Sequence, residues 1–376
     1  MSKIQIVEVN SQRELKKFTQ LPFQLHAHIP NYIPPLFQER WGLLHPKKNP
    51  FYQHASVRHF LAYQNNKLVG GISAHHDPTH EKFKHMHYGC FGFFESVDDP
   101  KVAQALVEAA ANFLKTKDCK VMVGPLNFTT NDETGLLVEG FEHPMMVGMP
   151  YNPAYYPPLL EGQGFTKLKE LYAWYYDNQV IPEGALQIAD AVLQYPGLTI
   201  RNLDKKHFYR DIQIIREVFN SAWSNNWGFV PITEAQAKKA AHDFKHILDE
   251  RFVLIAEVNG DPAAICLGLP NIYEITHDLK GKLWPFGWVK FLYRLKTHAF
   301  KTGRLALLGV KKEYRGSILG GLSVLLYVKF NQLGLSLDYK YGELSWTLED
   351  NEKINQGIEF MGGRIYKKYR VYQRQI

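Results

Sequence analysis

Leu305-Ala-Leu-Leu-Gly-Val310, continued directly by Lys311-Lys-Glu-Tyr-Arg-Gly-Ser-Ile-Leu-Gly-Gly321, is the stretch whose reading decides the fold. An apolar run rich in Leu ends at Val310, and a turn bearing Gly316, Gly320 and Gly321 follows. The next segment, Leu322-Ser-Val-Leu-Leu-Tyr-Val-Lys-Phe330, is apolar and free of proline. The pattern predicts a strand, a tight loop and the opening of a buried helix. Glycines allow a backbone to approach a bound group closely, and free amides at a helix start make a seat for a phosphate. A glycine turn that merely joins a core strand to a core helix would carry the same residues.

The chain of 376 residues is too long for one ordinary core, so two or more domains are expected. Hydrophobic residues make up 45% and charged residues 22%, a globular balance. Cys90, Cys119 and Cys266 are odd in number and far apart, which predicts reduced thiols in a cytoplasmic protein. No apolar run is read as reaching the ~20 residues of a membrane span, and Met-Ser-Lys-Ile-Gln is no signal-peptide core. The net charge of +7 favours anionic partners: coenzyme A, lipid head groups or nucleic acid.

From the N-terminus, Ser11 and Glu14 form a capping box for a helix, and the Pro-rich residues 30–50 read as irregular structure. His59-Phe-Leu-Ala-Tyr63, Gln-Asn-Asn-Lys and Leu68-Val-Gly-Gly-Ile-Ser73 read as a hairpin. His75, His76, His80, His85 and His87 follow in what reads as a solvated polar loop, without the carboxylate or cysteine framework of a metal site. Asp98 or Asp99 with Pro100 starts a helix. The second half repeats this order. Arg58 and Arg251 open corresponding hairpins 193 residues apart, and Asn152 and Asn351 each precede a glycine by 12 residues at an offset of 199. Nearly constant offsets argue for tandem duplication of one α/β unit. The copies differ by insertions, chiefly 280–301 in the second and the region 124–148 in the first.

The run Val310…Tyr314-Arg315-Gly316…Gly320 on strand, loop and helix resembles the acyl-CoA loop of the GNAT superfamily of N-acyltransferases. Ile318 stands where that family's pattern usually has its middle glycine. The resemblance implies an α/β fold with a mixed sheet, in two tandem GNAT-like domains: 1–178, a linker helix at 179–197, and 198–376. It also implies acyl-CoA as co-substrate, held by Gly309, Val310, Arg315, Gly316, Ser317, Ile318, Leu319, Gly320, Gly321 and Asn351, and no metal. In the first copy the equivalent loop is Glu95-Ser-Val-Asp-Asp-Pro100, whose carboxylates would repel a pyrophosphate. That copy therefore reads as degenerate, with the cofactor in the second.

Many GNAT enzymes carry a Tyr on the last helix as general acid, and the equivalent position here is Ile358. The amine must lose a proton before attack, which requires a carboxylate or a water it orders. Glu349 is the candidate base, although a helix-capping acid would stand there too; Glu343 begins the same strand. His242 and His246 lie one turn apart on what reads as a solvated or core helix face. Trp223-Ser-Asn-Asn-Trp-Gly-Phe229 could line an acceptor pocket or plug a core edge. Asn127, Thr129, Asn131 and Glu133 could reach the acceptor or simply make turns.

In 280–301 there are six basic residues and no acid. At helical spacing Trp288, Phe291, Leu292, Leu295 and Ala299 fall on one face and Lys290, Arg294, Thr297 and Lys301 on the other. Such a helix reads as a lid on the body or as a peripheral membrane contact. With the second, the acceptor would be a long-chain amine, a resemblance to the GNAT-type bacterial ceramide synthases. The function so read is N-acyl transfer from acyl-CoA to a primary amine, small or lipid-like, without nucleic acid. The alternatives are a catalytically silent tandem scaffold and a Fem-type aminoacyl transferase using charged tRNA.

Overall fold

The computed structural model describes residues 3–84, 87–177, 180–245 and 247–376. His85, His246 and the boundary at 178–179 lie outside these described residues. Two compact units divide the chain, and they do not divide it at one point in sequence. The first comprises Met1–Leu171, Ile275–Arg294 and Lys367–Ile376, and the second Tyr172–Glu274 and Leu295–Tyr366.

The first repeat runs β1 (Ile4–Glu8), α1 (Gln12–Leu25), α2 (Phe37–Leu44), β2 (Ser56–Gln64), β3 (Lys67–His76), α3 (Pro78–Lys84) and β4 (Gly89–Ser96). It continues through α4 (Pro100–Lys115), β5 (Val121–Gly124), β6 (Leu136–Glu139), α5 (Tyr156–Glu161) and β7 (Thr166–Tyr176). The Ser11–Glu14 capping box closes, with the Ser11 N–H donating to the Glu14 carboxylate at 2.9 Å. Asn65 and Asn66, at φ 51° and 61°, form the tight turn that sets Gln64 opposite Lys67. In this unit the strands run in the order β1-β2-β3-β4-β5, and Tyr372 to Gln375 of the chain's C-terminal strand pair antiparallel with β5.

Helix α4 lays Val102, Leu106, Val107, Ala110 and Leu114 on one sheet face. On the other, Phe18 and Leu21 of α1 meet Phe51, Phe93 and Phe128. Helix α2 occupies part of the stretch expected to be irregular. Two further expectations are corrected here. His75 is buried on β3, and His80 is buried and bonded to the Tyr88 hydroxyl at 2.9 Å, so these histidines belong to the interior rather than to a solvated loop. Glu95 also turns inward, where His26 meets it at 2.6 Å and Arg40 and Tyr156 each donate to it at 3.2 Å. Burial raises its pKa, yet His26 and Arg40 outweigh that and hold the carboxyl below its usual range.

The second repeat runs α6 (Glu183–Leu193), β8 (Leu198–Asn202), α7 (Phe208–Ala222), α8 (Glu234–Phe244), β9 (Val253–Val258), β10 (Asp261–Pro270), α9 (Tyr273–Thr276) and α10 (Gly287–Thr297). It ends with β11 (Thr302–Val310), α11 (Leu322–Ser336), β12 (Tyr341–Leu348), α12 (Glu352–Phe360) and β13 (Arg364–Gln375). Asn259 and Gly260 make the second two-residue turn, at φ 52° and 87°. The strand order in this unit is β8-β9-β10-β11-β12. Leu322, Leu325 and Leu326 of α11 are wholly buried, each worth about 1.5–3 kcal/mol. By length and composition alone Ile318–Ser336 could cross a membrane, contrary to the sequence reading, and those buried leucines make it the central helix of this unit. Ala185, Ala189 and Val192 of α6 join the same core, so the predicted linker helix is part of the packing.

Candidate functional site

β11 and β12 are parallel neighbours for only part of their length. Thr302 pairs with Tyr341, and the register continues to Leu305 opposite Leu344, where pairing stops. Both strands run on, β11 by five residues to Val310 and β12 by four to Leu348. The divergence coincides with a bulge: Leu267 faces Leu307 and Gly268 faces Leu305, so Ala306 has no partner on β10. A bulge adds twist and bends the strand away from its neighbour. The result is a wedge whose walls are strand edges that an extended amide-bearing ligand can join.

The loop Lys311–Gly321 lies at the mouth of this wedge. Arg315 folds back, donating from Nε to the Val310 carbonyl at 2.9 Å and from a terminal nitrogen to that of Ala222 at 2.6 Å. Lys311 is buried and paired with Glu217, and Lys312 reaches Asn225 at 2.9 Å. The cations thus brace the loop, which leaves its backbone amides as the groups able to meet an anion. A short 3₁₀ turn, Ser317–Gly321, leads into α11, and Gly316 before it provides no side-chain cap. The first amides of such a turn point outward without helical acceptors.

The glycines divide by role. A Cβ on Gly316 would meet nothing within 4 Å, whereas one on Gly321 would lie 2.7 Å from Ile188 and 2.9 Å from Val192. Gly321 is therefore needed for packing against α6. On Gly309 a Cβ would come within 2.2 Å of the Trp223 ring, itself stacked on Phe219. Trp223 thus plugs the floor under β11, the second of its two sequence readings.

Asn351 and Glu349 reach the mouth as well, because β12 runs parallel to β11 and delivers its C-terminal end there. Asn351 starts α12 without a side-chain cap bond, while its counterpart Asn152 is buried and bound to both the N–H and the carbonyl of Leu137. Ile358 is buried in the core, so α12 offers no acid at that position.

Deeper in, where the strands part, stands a polar group that sequence reading named only through Glu343. Leu344 faces the core under α11, so Glu343 and Ser345 point to the opposite face. Glu343 is fully buried. It accepts the Ser345 hydroxyl at 2.5 Å and the Tyr366 hydroxyl, and Arg304 donates to Ser345 Oγ at 2.9 Å. Alternation along β12 was the available signal, since it sets two polar side chains on one face beside an arginine on β11.

The first unit holds the same strand arrangement in a closed form. Gly89 and Cys90 pair with Met122 and Val123, and β4 then parts from β5 while staying paired with β3. Here the gap is filled: Leu126 donates to the Phe91 carbonyl at 2.7 Å, and Asn127 accepts from the Phe93 amide. Asn127 also donates to Glu133 at 2.7 Å, and Thr129 binds Asp132 at 2.9 Å, so this loop serves its own unit. Asp99 caps α4 by accepting the Lys101 amide at 2.9 Å, which occupies that helix start. Among the described residues no His, Cys, Asp or Glu group could hold a metal.

A bacterial ceramide synthase of Caulobacter vibrioides is 40% identical over 380 residues, spanning 99% of this chain and 98% of that protein. The chain belongs to the family of that bacterial ceramide synthase. Protein YghO of Escherichia coli, 36% identical over 369 residues, covers 97% of the chain and 94% of its own length. No family model matches. Among solved structures, a tandem GNAT protein from the clavulanic acid biosynthesis pathway aligns at a TM-score of 0.58 and 11% identity, covering 99% of this chain and 98% of its own. A GCN5-related N-acetyltransferase from Sphaerobacter thermophilus aligns at 0.51 and 11%, covering 98% and 95%. This member of the ceramide synthase family therefore has the tandem GNAT fold and is an N-acyltransferase.

Proposed function

We propose that the chain transfers an acyl group from acyl-CoA to the primary amine of a long-chain acceptor, with the chemistry in the second unit. The observation that carries the reading is the wedge between β11 and β12, open and followed by an uncapped loop, whereas the wedge of the first unit is closed. The 40% identity to a protein named as a ceramide synthase supports a sphingoid-type amine and a fatty acyl donor. The GNAT fold in general supports the thioester donor.

Length assigns the depth of the reaction. With the pyrophosphate at the loop amides, a pantetheine arm of 12 bonds reaches about as far as four extended residues, roughly 13 Å. Four residues back from Val310 is Ala306, level with Ser345. The thioester then lies beside the bulge and the Glu343–Ser345 group. Glu349, at the mouth, is four residues beyond Ser345, roughly 13 Å from the reacting carbon, so Glu343 is the better base.

The reaction balances as follows. The neutral amine nitrogen bonds to the thioester carbon, and the C–S bond breaks. One amine proton passes through Ser345 Oγ to Glu343, the departing thiolate takes a proton from solvent, and Glu343 then returns its proton to solvent. Arg304 holds Ser345 with its lone pair turned to the amine.

The test is a thiol-release assay with a fatty acyl-CoA and a sphingoid base, with the amide product identified by mass. Formation of the N-acyl product is expected. Acyl-CoA hydrolysis without amide, or amide formation with short soluble amines alone, would overturn the long-chain reading.

A further inference from the structure

The insertion that carries α10 exposes an apolar surface that neither the fold nor acyl transfer requires. Trp284 is 80% exposed, Phe286 78% and Tyr293 68%, and Trp288, Val289 and Leu292 are about half exposed. No residue of α10 is buried. The face differs from the one that helical spacing predicts: Phe291, Arg294 and Leu295 turn partly inward, while Trp288, Leu292 and Ala299 stay out. Soluble proteins rarely leave so many large side chains together in water, and such a patch marks a docking surface.

The base of the insertion is firmly held. The Phe37 amide donates to the Gly281 carbonyl at 2.9 Å, and a Cβ on Gly281 would collide with Phe23 and Pro35. Arg294 donates to the Ile275 carbonyl at 2.8 Å, and Asp278 binds both Lys290 and Arg294. The aromatic tip therefore projects from a fixed root. An open groove of about 630 Å³ runs beside it, lined in part by Leu279, Lys282, Phe286, Val289 and Tyr293.

Charge selects the occupant. Lys290 and Arg294 share Asp278, and Lys301 shares Asp338 with Lys340. Lys280, Lys282 and Lys296 are exposed and have no ion pair among the described residues. Tryptophan and tyrosine beside lysine, with no carboxylate in 280–301, is the composition suited to the boundary between headgroups and acyl chains. We propose that this face docks on an anionic lipid bilayer, with Trp284, Phe286 and Trp288 entering the interface and the three lysines over lipid phosphates.

Flotation of the full chain tests this without any substrate, so its failure leaves the acyl-transfer reading standing on its own assay. Vesicles of phosphatidylglycerol and phosphatidylcholine are compared with phosphatidylcholine alone, at low and high salt. Wild type should float with the anionic vesicles and lose most binding at high salt. Combined Trp284→Ser, Phe286→Ser and Trp288→Ser should lose about tenfold or more in vesicle affinity while melting like wild type. Lys282→Glu with Lys296→Glu should abolish the preference for anionic lipid. Wild type remaining with the vesicle-free fraction, or the serine variant floating equally well, would overturn the proposal. A wild-type dimer that the serine variant splits would equally overturn it, by assigning the face to a second copy.

Discussion

The Asn127 side-chain carbonyl accepts the Phe93 N–H at 2.7 Å, at the bulge of the first unit's β4. Phe93 has φ 48°, so its amide is turned out of the ladder and the asparagine satisfies it. One side chain therefore closes the first wedge, and Asp99 occupies the helix start beyond it.

A single cofactor site per chain follows. Calorimetric titration with coenzyme A should give one site, and two equivalent sites would refute the asymmetry. Asn127→Ala should leave that stoichiometry at one. It should destabilise the protein by about 1–3 kcal/mol, since it orphans a half-buried amide.

The glycines of the loop should not respond alike. Gly316→Ala adds a methyl group into open space and should change acyl-CoA affinity and stability by no more than about 0.5 kcal/mol. Gly321→Val forces Ile188 and Val192 aside and should cost about 1–3 kcal/mol in stability. Thermal melts with and without acyl-CoA separate the two. Equal losses at both positions would mean that the loop packs differently.

Glu343→Gln should lower kcat about 10²–10⁴-fold and leave acyl-CoA affinity nearly unchanged, as loss of a general base does. Glu349→Gln should cost much less. Because Glu343 is buried, circular dichroism and acyl-CoA binding must first establish that the variant is folded. Wild-type turnover by folded Glu343→Gln across the pH range would remove it from the mechanism.

Stability should fall in mild acid through His59 and His75. Burial lowers both pKa values, to about 3 and about 4 against an unfolded value near 6.5, so both are neutral in the fold. Nearby charges on His75, Arg40 and Arg58 add to the effect at His59, while the Phe128 carbonyl partly opposes it at His75. Asp77, His76 and His80 also act on His75. Below about 6.5 the unfolded chain binds protons that the folded chain refuses, so stability decreases as pH falls through that window. Each histidine contributes a slope approaching about 1.4 kcal/mol per pH unit between its two pKa values. Urea midpoints from pH 7 to 4.5 measure this, and His75→Asn should flatten the slope by about one proton. An unchanged slope would mean that His75 titrates normally.

Local chemistry carried far along this chain. Ser11 with Glu14, Asp99 with Pro100, and the Asn-Asn and Asn-Gly turns each act within four residues, and each formed where the residues predict it. The strand, glycine turn and helix over 305–336 were equally legible, because glycine spacing after an apolar strand is a property of contiguous sequence. The helix α2 was missed because Pro30, Pro34 and Pro35 lie just ahead of it, and proline reads as a breaker when its register to the helix is unknown.

What the sequence by itself determined is the order of elements, the duplication and the strand, glycine turn and helix over 305–336. Periodicity, caps and repeat spacing are one-dimensional signals, and they suffice for that. Only the tertiary structure decided which carboxylates turn into the interior and what they meet there. Glu95 belongs to a buried His-Arg-Tyr group supplied by α1, α2 and α5, and Glu343 meets Tyr366 across 23 residues. A carboxylate's role depends on the groups brought within about 3 Å of it, and those come from segments whose approach no local pattern encodes. The same holds for α10, whose exposed face was set by where Arg294 found Asp278 and the Ile275 carbonyl rather than by helical spacing.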